Sequence, residues 1–213
     1  MIAAAELRER FAGHTPGLLG AKREYAVLCP VLEGAEGLRL LFEVRAATLR
    51  RQPGEVCFPG GRMEPGESAV DCALRETEEE LTISRDEIQV LGTPDFICNQ
   101  AGFLLRPVLG LVSQVGMAMA HPSPAEVEEI FTVPLRFFAE TPPERYAYDL
   151  VPGGPKDFPY EQVGVPEDYH WSRGRVEVPL WFWEKHAIWG MTGRLVEDLV
   201  CSPSLYPRYV LCT

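Results

Sequence analysis

Apolar and polar residues follow one another along the chain in a pattern that predicts an α/β protein. Two apolar, β-prone runs, Tyr25–Glu33 and Leu38–Ala46, flank the turn-like sequence GAEG and predict a hairpin. Further strands are predicted around Glu55–Phe58 and at Ile88–Gly92, Asp95–Asn99, Leu104–Val112, Glu128–Pro134 and Glu177–Trp183. Several connections between strands are too short for helical crossovers, which indicates a mixed sheet. With helices on both faces, the pattern predicts a layered α/β domain.

Helical segments are predicted at both ends of the chain. The first residues, MIAAAELRERFAG, have the pattern of a short amphipathic helix in an N-terminal extension of residues 1–20. A short helix is expected at Leu135–Glu140 and a closing amphipathic helix at His186–Val200. Residues 141–166 are rich in proline and glycine, which favours a long loop or hairpin insertion. We expect a single domain over residues 1–213.

The middle of the chain combines a glycine- and proline-rich turn with a helix crowded with carboxylates. Ser68 is a suitable N-cap, and the predicted helix runs from there to about Leu81. At the i, i+3 and i+4 spacing, Glu76, Glu79 and Glu80 share one face. A separate, mostly apolar stripe comprises Val70, Leu74, Thr77 and Leu81. Because these like charges repel and carboxylate oxygens suit hard cations, the acidic face predicts a site for Mg²⁺ or Mn²⁺.

Composition and charge narrow the classes of partner. The chain has 213 residues, 46% hydrophobic and 24% charged, as in ordinary globular proteins. A net charge of −11 argues against nucleic acid as the main partner, while local arginines and a bound cation still allow a phosphorylated small molecule. No apolar run is long enough for a membrane span, and the six cysteines form no CxxC pair. We therefore expect a cytoplasmic protein with free thiols and no membrane partner.

Residues 61–83 resemble the signature of the Nudix hydrolases. That signature is a Gly, five residues, a Glu, seven residues and an Arg-Glu pair, with two more glutamates after two further residues. It falls here on Gly61, Glu67, Arg75, Glu76, Glu79 and Glu80. Thr77 replaces the usual aliphatic residue and Thr82 the final glycine. A helix end that needs positive φ would be strained at a threonine, so we expect strain at Thr82.

A second motif, upstream of the first, resembles the coenzyme A pyrophosphatase branch of that family. The matching positions are Leu41, Phe42, Arg45, Ala46, Arg50, Gly54 and the run from Phe58 to Gly61. Glu43 stands where a threonine is usual. The resemblance implies a Nudix α/β/α sandwich and metal-dependent cleavage of the pyrophosphate bond of coenzyme A or acyl-coenzyme A. The products would be 4′-phosphopantetheine, or its acyl derivative, and adenosine 3′,5′-bisphosphate.

The candidate catalytic residues are carboxylates. Glu76, Glu79 and Glu80 are the expected metal ligands, because carboxylate-held magnesium neutralises phosphate charge and lowers the pKa of bound water. The catalytic base stays open between Glu79, Glu80 and Glu126, the last of which lies in the loop before EVEEIF. Arg75 and Glu67 are expected to shape the loop by a charge-assisted hydrogen bond.

Two arginines and two glycines are candidate substrate contacts. Arg45 and Arg50 can pair with the 3′-phosphate or the pyrophosphate, because guanidinium groups match phosphate oxygens. Structural ion pairs with acids such as Glu43 are an equal alternative. Gly60 and Gly61 allow close approach of the backbone to a phosphate or metal, although an ordinary tight turn uses glycine as well.

Two other functions stay open at this stage. One is a Nudix pyrophosphatase for ADP-ribose, NADH or another nucleoside diphosphate derivative, against which the upstream motif argues. The other is a non-catalytic, nucleotide-sensing Nudix-like module. Such modules usually lose the signature carboxylates, which this chain keeps. A homodimer is expected only as the commonest oligomeric state.

Overall fold

A computed structural model describes residues 3–14, 17–20, 23–99, 102–153 and 157–201 of the chain. The helices are α1 (Ala4–Phe11), α2 (Ala69–Leu81), α3 (Gln114–Met119), α4 (Leu135–Glu140) and α5 (Gly190–Cys201). The strands are β1 (Arg23–Gly34), β2 (Gly37–Arg45), β3 (Val56–Cys57), β4 (Gly60–Arg62), β5 (Ile88–Gly92), β6 (Ile97–Cys98), β7 (Phe103–Val112), β8 (Val127–Pro134), β9 (Glu144–Leu150), β10 (Gly174–Trp183) and β11 (His186–Trp189). A 3₁₀ turn at Arg85–Glu87 precedes β5.

Eight strands form one mixed sheet, as the pattern predicts. Five of its strands lie side by side in the order β3-β2-β1-β7-β5. In addition, β4 pairs with β1, β6 with β7 and β8 with β2. Strands β1 and β2 form the predicted antiparallel hairpin, with Val31 opposite Leu40. Strands β1 and β7 run parallel from the pair Arg23 and Phe103 to the pair Leu32 and Val112. The long stretch between these two strands contains α2, which makes the parallel crossover feasible.

Side chains on the two faces of the sheet enter two separate cores. Alternation along β2 sends Phe42 to one face and Leu41 to the other. Phe42 packs with Phe138 of α4 and the apolar side of α5. Leu41 packs with Leu28 and with Leu81 of α2. The result is the predicted helix–sheet–helix arrangement.

A second sheet contains three strands in the order β11-β10-β9. Strand β9 lies inside the predicted insertion of residues 141–166, and it pairs with β10. The prediction of a helix over His186–Val200 was wrong at its start. His186–Trp189 is strand β11, because these residues pair with β10, and the helix begins only at Gly190.

Smaller differences lie at short elements. The sequence predicts that the strand near Phe58 ends before the two glycines, but Gly60 and Gly61 belong to β4 and pair with β1. Helix α3 was not predicted, and its N-cap is Ser113, whose side chain accepts from the Gly116 amide. In the described part of the chain no helix is both long and apolar enough to cross a membrane.

Candidate active site

Helix α2 carries most of the candidate residues, and its two ends fix its position. Ser68 is the N-cap, and its hydroxyl accepts from the Asp71 amide at 3.1 Å. The helix ends at Thr82, which has φ of 59° and ψ of 22°. This left-handed conformation at a residue other than glycine confirms the expected strain. The Thr82 hydroxyl donates to the His121 carbonyl at 2.9 Å, which ties the strained end to a neighbouring loop.

The apolar side of α2 is buried as predicted. Leu74 and Leu81 belong to the core on this face of the sheet, and Val70 packs partly against it. Thr77 is fully buried, and its hydroxyl donates to the Ala73 carbonyl at 2.7 Å. This bond within the helix satisfies the hydroxyl, so a threonine is tolerated at the position where the signature has an aliphatic residue.

Glu76 and Glu80 lie against the two glycines of β4. A Cβ atom added to Gly61 would come within 2.3–2.4 Å of the Glu76 carboxylate. The Gly60 amide donates to Glu80 Oε2 at 2.8 Å. Gly60 has φ of 154°, and a Cβ there would lie 2.3 Å from the Ala26 carbonyl oxygen. Gly60 is therefore required by its close approach to β1, and a side chain at Gly61 would displace the Glu76 carboxylate. Their contact with a substrate stays a prediction.

Arg75 holds the loop and the helix face together. Its Nε donates to Glu67 Oε1 at 2.9 Å and its Nη2 to Glu67 Oε2 at 3.2 Å. This confirms the expected charge-assisted pair, which lowers the pKa of Glu67 to about 2. Arg75 Nη1 also lies 2.8 Å from Glu76 Oε1 and 3.4 Å from Glu79 Oε2. Any cation bound by Glu76 and Glu79 must compete with this guanidinium.

The acidic cluster extends beyond the helix. Burial, followed by the nearby charge of Glu43, raises the pKa of Glu80, and Glu76 and Glu126 add to that rise. Burial also raises the pKa of Glu76, with contributions from Glu79 and Glu126. These mutual effects place Glu126 in the electrostatic neighbourhood of the cluster, although its side chain is exposed. Glu79 is exposed over 62% of its side chain, so it faces solvent at the edge.

Glu43 is a cluster member that the sequence did not assign to the site. It is 1% exposed and accepts from the Cys57 thiol at 3.2 Å, and its second oxygen, Oε2, has no hydrogen-bond partner among the residues that the structure describes. Burial raises the pKa of Glu43. The signal was available: Glu43 is two residues from Leu41, so alternation puts both on the α2 face.

The two candidate arginines differ in their surroundings. Arg45 ends β2, its Nε donates to the Arg51 carbonyl at 3.4 Å, and its charge lowers the pKa of Glu43. Arg50 is exposed in the loop that joins β2 to β3. Contact of either arginine with a phosphate stays a prediction.

The residues fit a hard divalent cation by their chemistry. Their donor atoms are carboxylate oxygens, and burial and mutual repulsion oppose ionisation of Glu76 and Glu80, which a cation would relieve. Within the ranges that the structure describes, no three His, Cys, Asp or Glu side chains are already arranged around one point as metal ligands. Metal ligation by Glu76, Glu79 and Glu80 therefore stays a prediction. It requires Glu76 and Glu79 to turn from Arg75, and Glu80 to turn from the Gly60 amide, toward a shared ion.

Comparison with known proteins places this geometry in a family. A profile for the NUDIX domain matches residues 22–150. The chain is 32% identical over 209 residues to the Nudix hydrolase NudL of Photorhabdus laumondii. This alignment covers 93% of this chain and 97% of that protein. It is 30% identical over 218 residues to the mitochondrial coenzyme A diphosphatase NUDT8 of Homo sapiens, covering 98% of this chain and 83% of that protein.

Two further similar proteins align with smaller parts of this chain. The peroxisomal coenzyme A diphosphatase NUDT7 of Mus musculus is 35% identical over 159 residues, covering 73% of this chain and 64% of that protein. Among solved structures, a Nudix hydrolase of M. smegmatis, RenU, is 18% identical with a TM-score of 0.48, covering 56% of this chain and 74% of that chain.

Proposed function

Because the chain belongs to the Nudix hydrolase family, we propose that it hydrolyses the pyrophosphate bond of coenzyme A or an acyl-coenzyme A. The observation that carries this substrate is the likeness to two coenzyme A diphosphatases, one of which aligns with 98% of the chain. The upstream motif supports it, because Arg45 and the Cys57–Gly61 segment adjoin the acidic cluster.

The reaction moves charge onto phosphate oxygens, which determines what the site must supply. A water oxygen bonds to one phosphorus, the bridging P–O bond breaks, and the water gives up a proton. A bound Mg²⁺ or Mn²⁺ would offset the phosphate charge and acidify the attacking water. Glu76, Glu79 and Glu80 are the residues that would hold it.

The side chains of the site divide into those that hold a fixed position and those that are candidate bases. Glu80 is 3% exposed and fixed by the Gly60 amide, so it is suited to hold a position and not to exchange protons with solvent. Glu79 and Glu126 are exposed, so either can take a proton from a water at the edge of the cluster. Arg75 positions the helix face through Glu67 and is not required to touch the substrate.

The direct test is a substrate panel with product identification. Purified protein is incubated with Mg²⁺ or Mn²⁺ and with coenzyme A, acetyl-coenzyme A, ADP-ribose or NADH, and the products are identified by mass spectrometry. We expect 4′-phosphopantetheine or its acyl derivative together with adenosine 3′,5′-bisphosphate. Faster cleavage of ADP-ribose or NADH than of both coenzyme A and acetyl-coenzyme A would refute the proposed substrate. Absence of any turnover would favour a nucleotide-sensing module.

A further inference from the structure

A cavity opens beside the acidic cluster, where strand β1 begins and strand β4 ends. Its volume is about 750 Å³, and it is lined by Arg23 and Glu24 of β1, by Arg62 of β4 and by the loop of residues 63–67. Glu67 also lines the cavity, and Arg75 joins its carboxylate to that of Glu76, with Nε 2.9 Å from Glu67 Oε1 and Nη1 2.8 Å from Glu76 Oε1. The cavity therefore adjoins the proposed pyrophosphate site.

Most of the acids that line this cavity are already neutralised. Glu24 Oε2 lies 2.6 Å from Arg106 Nε, and both Glu67 oxygens bind Arg75. Neither Arg106 nor Arg75 belongs to the cavity lining. These two carboxylates therefore contribute little net negative charge to the cavity.

The two arginines of the cavity have no such partner. In the described ranges, neither Arg23 nor Arg62 has a carboxylate within ion-pair distance. Arg62 is the direct β-partner of Tyr25, and Arg23 is two residues from Tyr25, so both side chains leave the same face of the strand pair. Glu64 is the one cavity acid without a cation partner among the described residues. Two guanidinium groups thus face one free carboxylate.

In this acidic chain, a local excess of positive charge beside the proposed cleavage site favours binding of an anionic part of the substrate. The net charge is −11, so a polyanionic substrate is repelled by the protein as a whole and needs local cations. Guanidinium groups present paired donors that match the oxygens of a phosphate. A terminal phosphate carries more charge and more free oxygens than a bridging one, and it is the better match for two arginines.

We propose that Arg23 and Arg62 form a site for a phosphomonoester, the 3′-phosphate of the coenzyme A substrate. This assignment rests on the proposed function, because it names the part of that substrate which this cavity holds. It differs from the expectation that Arg45 or Arg50 binds this group, since those residues lie at the β2 end and in the loop that follows it. Glu64 lowers the affinity of this site.

The test compares coenzyme A with 3′-dephospho-coenzyme A, which has the same pyrophosphate bond and lacks only the phosphomonoester. For the wild type we expect a higher kcat/KM with coenzyme A. Arg23→Ala and Arg62→Ala should each lower the ratio of the two kcat/KM values about ten-fold. Glu64→Gln should raise that ratio. Arg136→Ala is the matched control, because Arg136 is an exposed arginine that pairs with Glu36 elsewhere.

Binding of a product separates this site from the proposed function. Calorimetry with adenosine 3′,5′-bisphosphate and adenosine 5′-monophosphate needs no turnover. If the wild type cleaves no coenzyme A but prefers the bisphosphate in a manner that depends on Arg23 and Arg62, the function fails and the site stands. Three results would overturn the site. Both variants could keep the wild-type preference for the bisphosphate over the monophosphate, or Arg50→Ala alone could abolish that preference. The third result is that inorganic phosphate binds as tightly as the bisphosphate.

Discussion

At the scale of single residues, the acidic cluster is held under electrostatic strain in the absence of a cation. Glu43 and Glu80 are both almost completely buried, burial raises the pKa of each, and the charge of Glu43 raises the pKa of Glu80 further. Buried carboxylates that lack a cation resist ionisation. Ionisation of these carboxylates as pH rises therefore destabilises the folded protein without metal.

This strain predicts a pH dependence of stability for the metal-free protein. Burial raises the pKa of Glu43 to about 7 from an ordinary value of 4.5. Because the folded state binds this proton more tightly than the unfolded state, the contribution of Glu43 to stability is fully present below about pH 4.5 and falls as pH rises through about 7. Glu43→Gln should reduce that fall while its side-chain oxygen still accepts from Cys57.

Melting temperatures at pH 5 and pH 8 in the presence of EDTA would check this expectation. Glu128→Gln serves as a control, since Glu128 is exposed on the neighbouring strand β8. A Glu43→Gln protein that loses as much stability between the two pH values as the wild type would contradict the role assigned to burial.

Gly61 is the residue whose replacement most directly moves a candidate ligand. An added methyl group would lie within 2.3–2.4 Å of the Glu76 carboxylate, so Gly61→Ala must displace that side chain. A misplacement of about 1 Å at a catalytic group can cost about 100-fold in rate, and we expect a loss of that order in kcat/KM. Gly92→Ala is the control, because nothing lies within 4 Å of its added Cβ. Near-normal activity of Gly61→Ala would show that the position of Glu76 is unimportant.

At the scale of the elements, the N-terminal cap of α2 is expected to stabilise the helix that carries the site. The Ser68 hydroxyl accepts from the Asp71 amide, whereas Ser84, at the start of the 3₁₀ turn, caps no amide with its side chain. Ser68→Ala should lower the free energy of unfolding by about 1 kcal/mol, and Ser84→Ala by much less. Urea denaturation measures both values. Equal losses of stability in the two variants would contradict a stabilising role for the Ser68 cap.

The elements that sequence patterns predict well are those determined by their own residues. Helix α2 has a cap, an apolar stripe and thirteen residues, so its range agrees with the prediction from Ser68 to Leu81. Strand β11 shows the opposite case. His186–Trp189 continues the amphipathic pattern of α5, but it pairs with β10 across a two-residue turn, with Trp183 opposite His186. Hairpin pairing overrides the helical period there.

The candidate site shows the same division between local and long-range information. The contacts around Glu67 and Arg75 follow from residues eight positions apart, and the sequence predicts them. The approach of Glu43 and Glu126 to Glu80 depends on how β2 and β8 pair and on where α2 crosses the sheet. Such distances depend on packing, so the spacing of residues along the chain cannot supply them.

At the scale of the whole molecule, the two sheets share one apolar core. Trp181 of β10 packs edge-to-face on Phe138 of α4 at a centroid distance of 5.5 Å, and its indole Nε1 donates to the Thr141 carbonyl. His186 of β11 stacks on Phe131 of β8 at 3.6 Å. These contacts join the smaller sheet to the larger one through α4, α5 and β8.

Removal of the Trp181 ring should therefore destabilise the protein as a whole. Trp181 is 3% exposed, and Trp181→Ala is expected to cost about 3 kcal/mol or more, in a single unfolding transition. Trp189→Ala is the matched control, because that indole is 44% exposed. Denaturant unfolding followed by circular dichroism gives both values. Two separate transitions in the wild type would contradict a shared core.

The central claim is that carboxylates of α2 bind a divalent cation at the site of pyrophosphate cleavage. The most direct measurement is a Mn²⁺ titration followed by electron paramagnetic resonance, which detects the free ion without any turnover. We expect the wild type and Glu78→Gln, an exposed residue of the same helix, to bind Mn²⁺ equally, and Glu80→Gln to bind it at least about ten-fold more weakly. Equal binding by Glu80→Gln and the wild type, or no binding by the wild type, would contradict the claim.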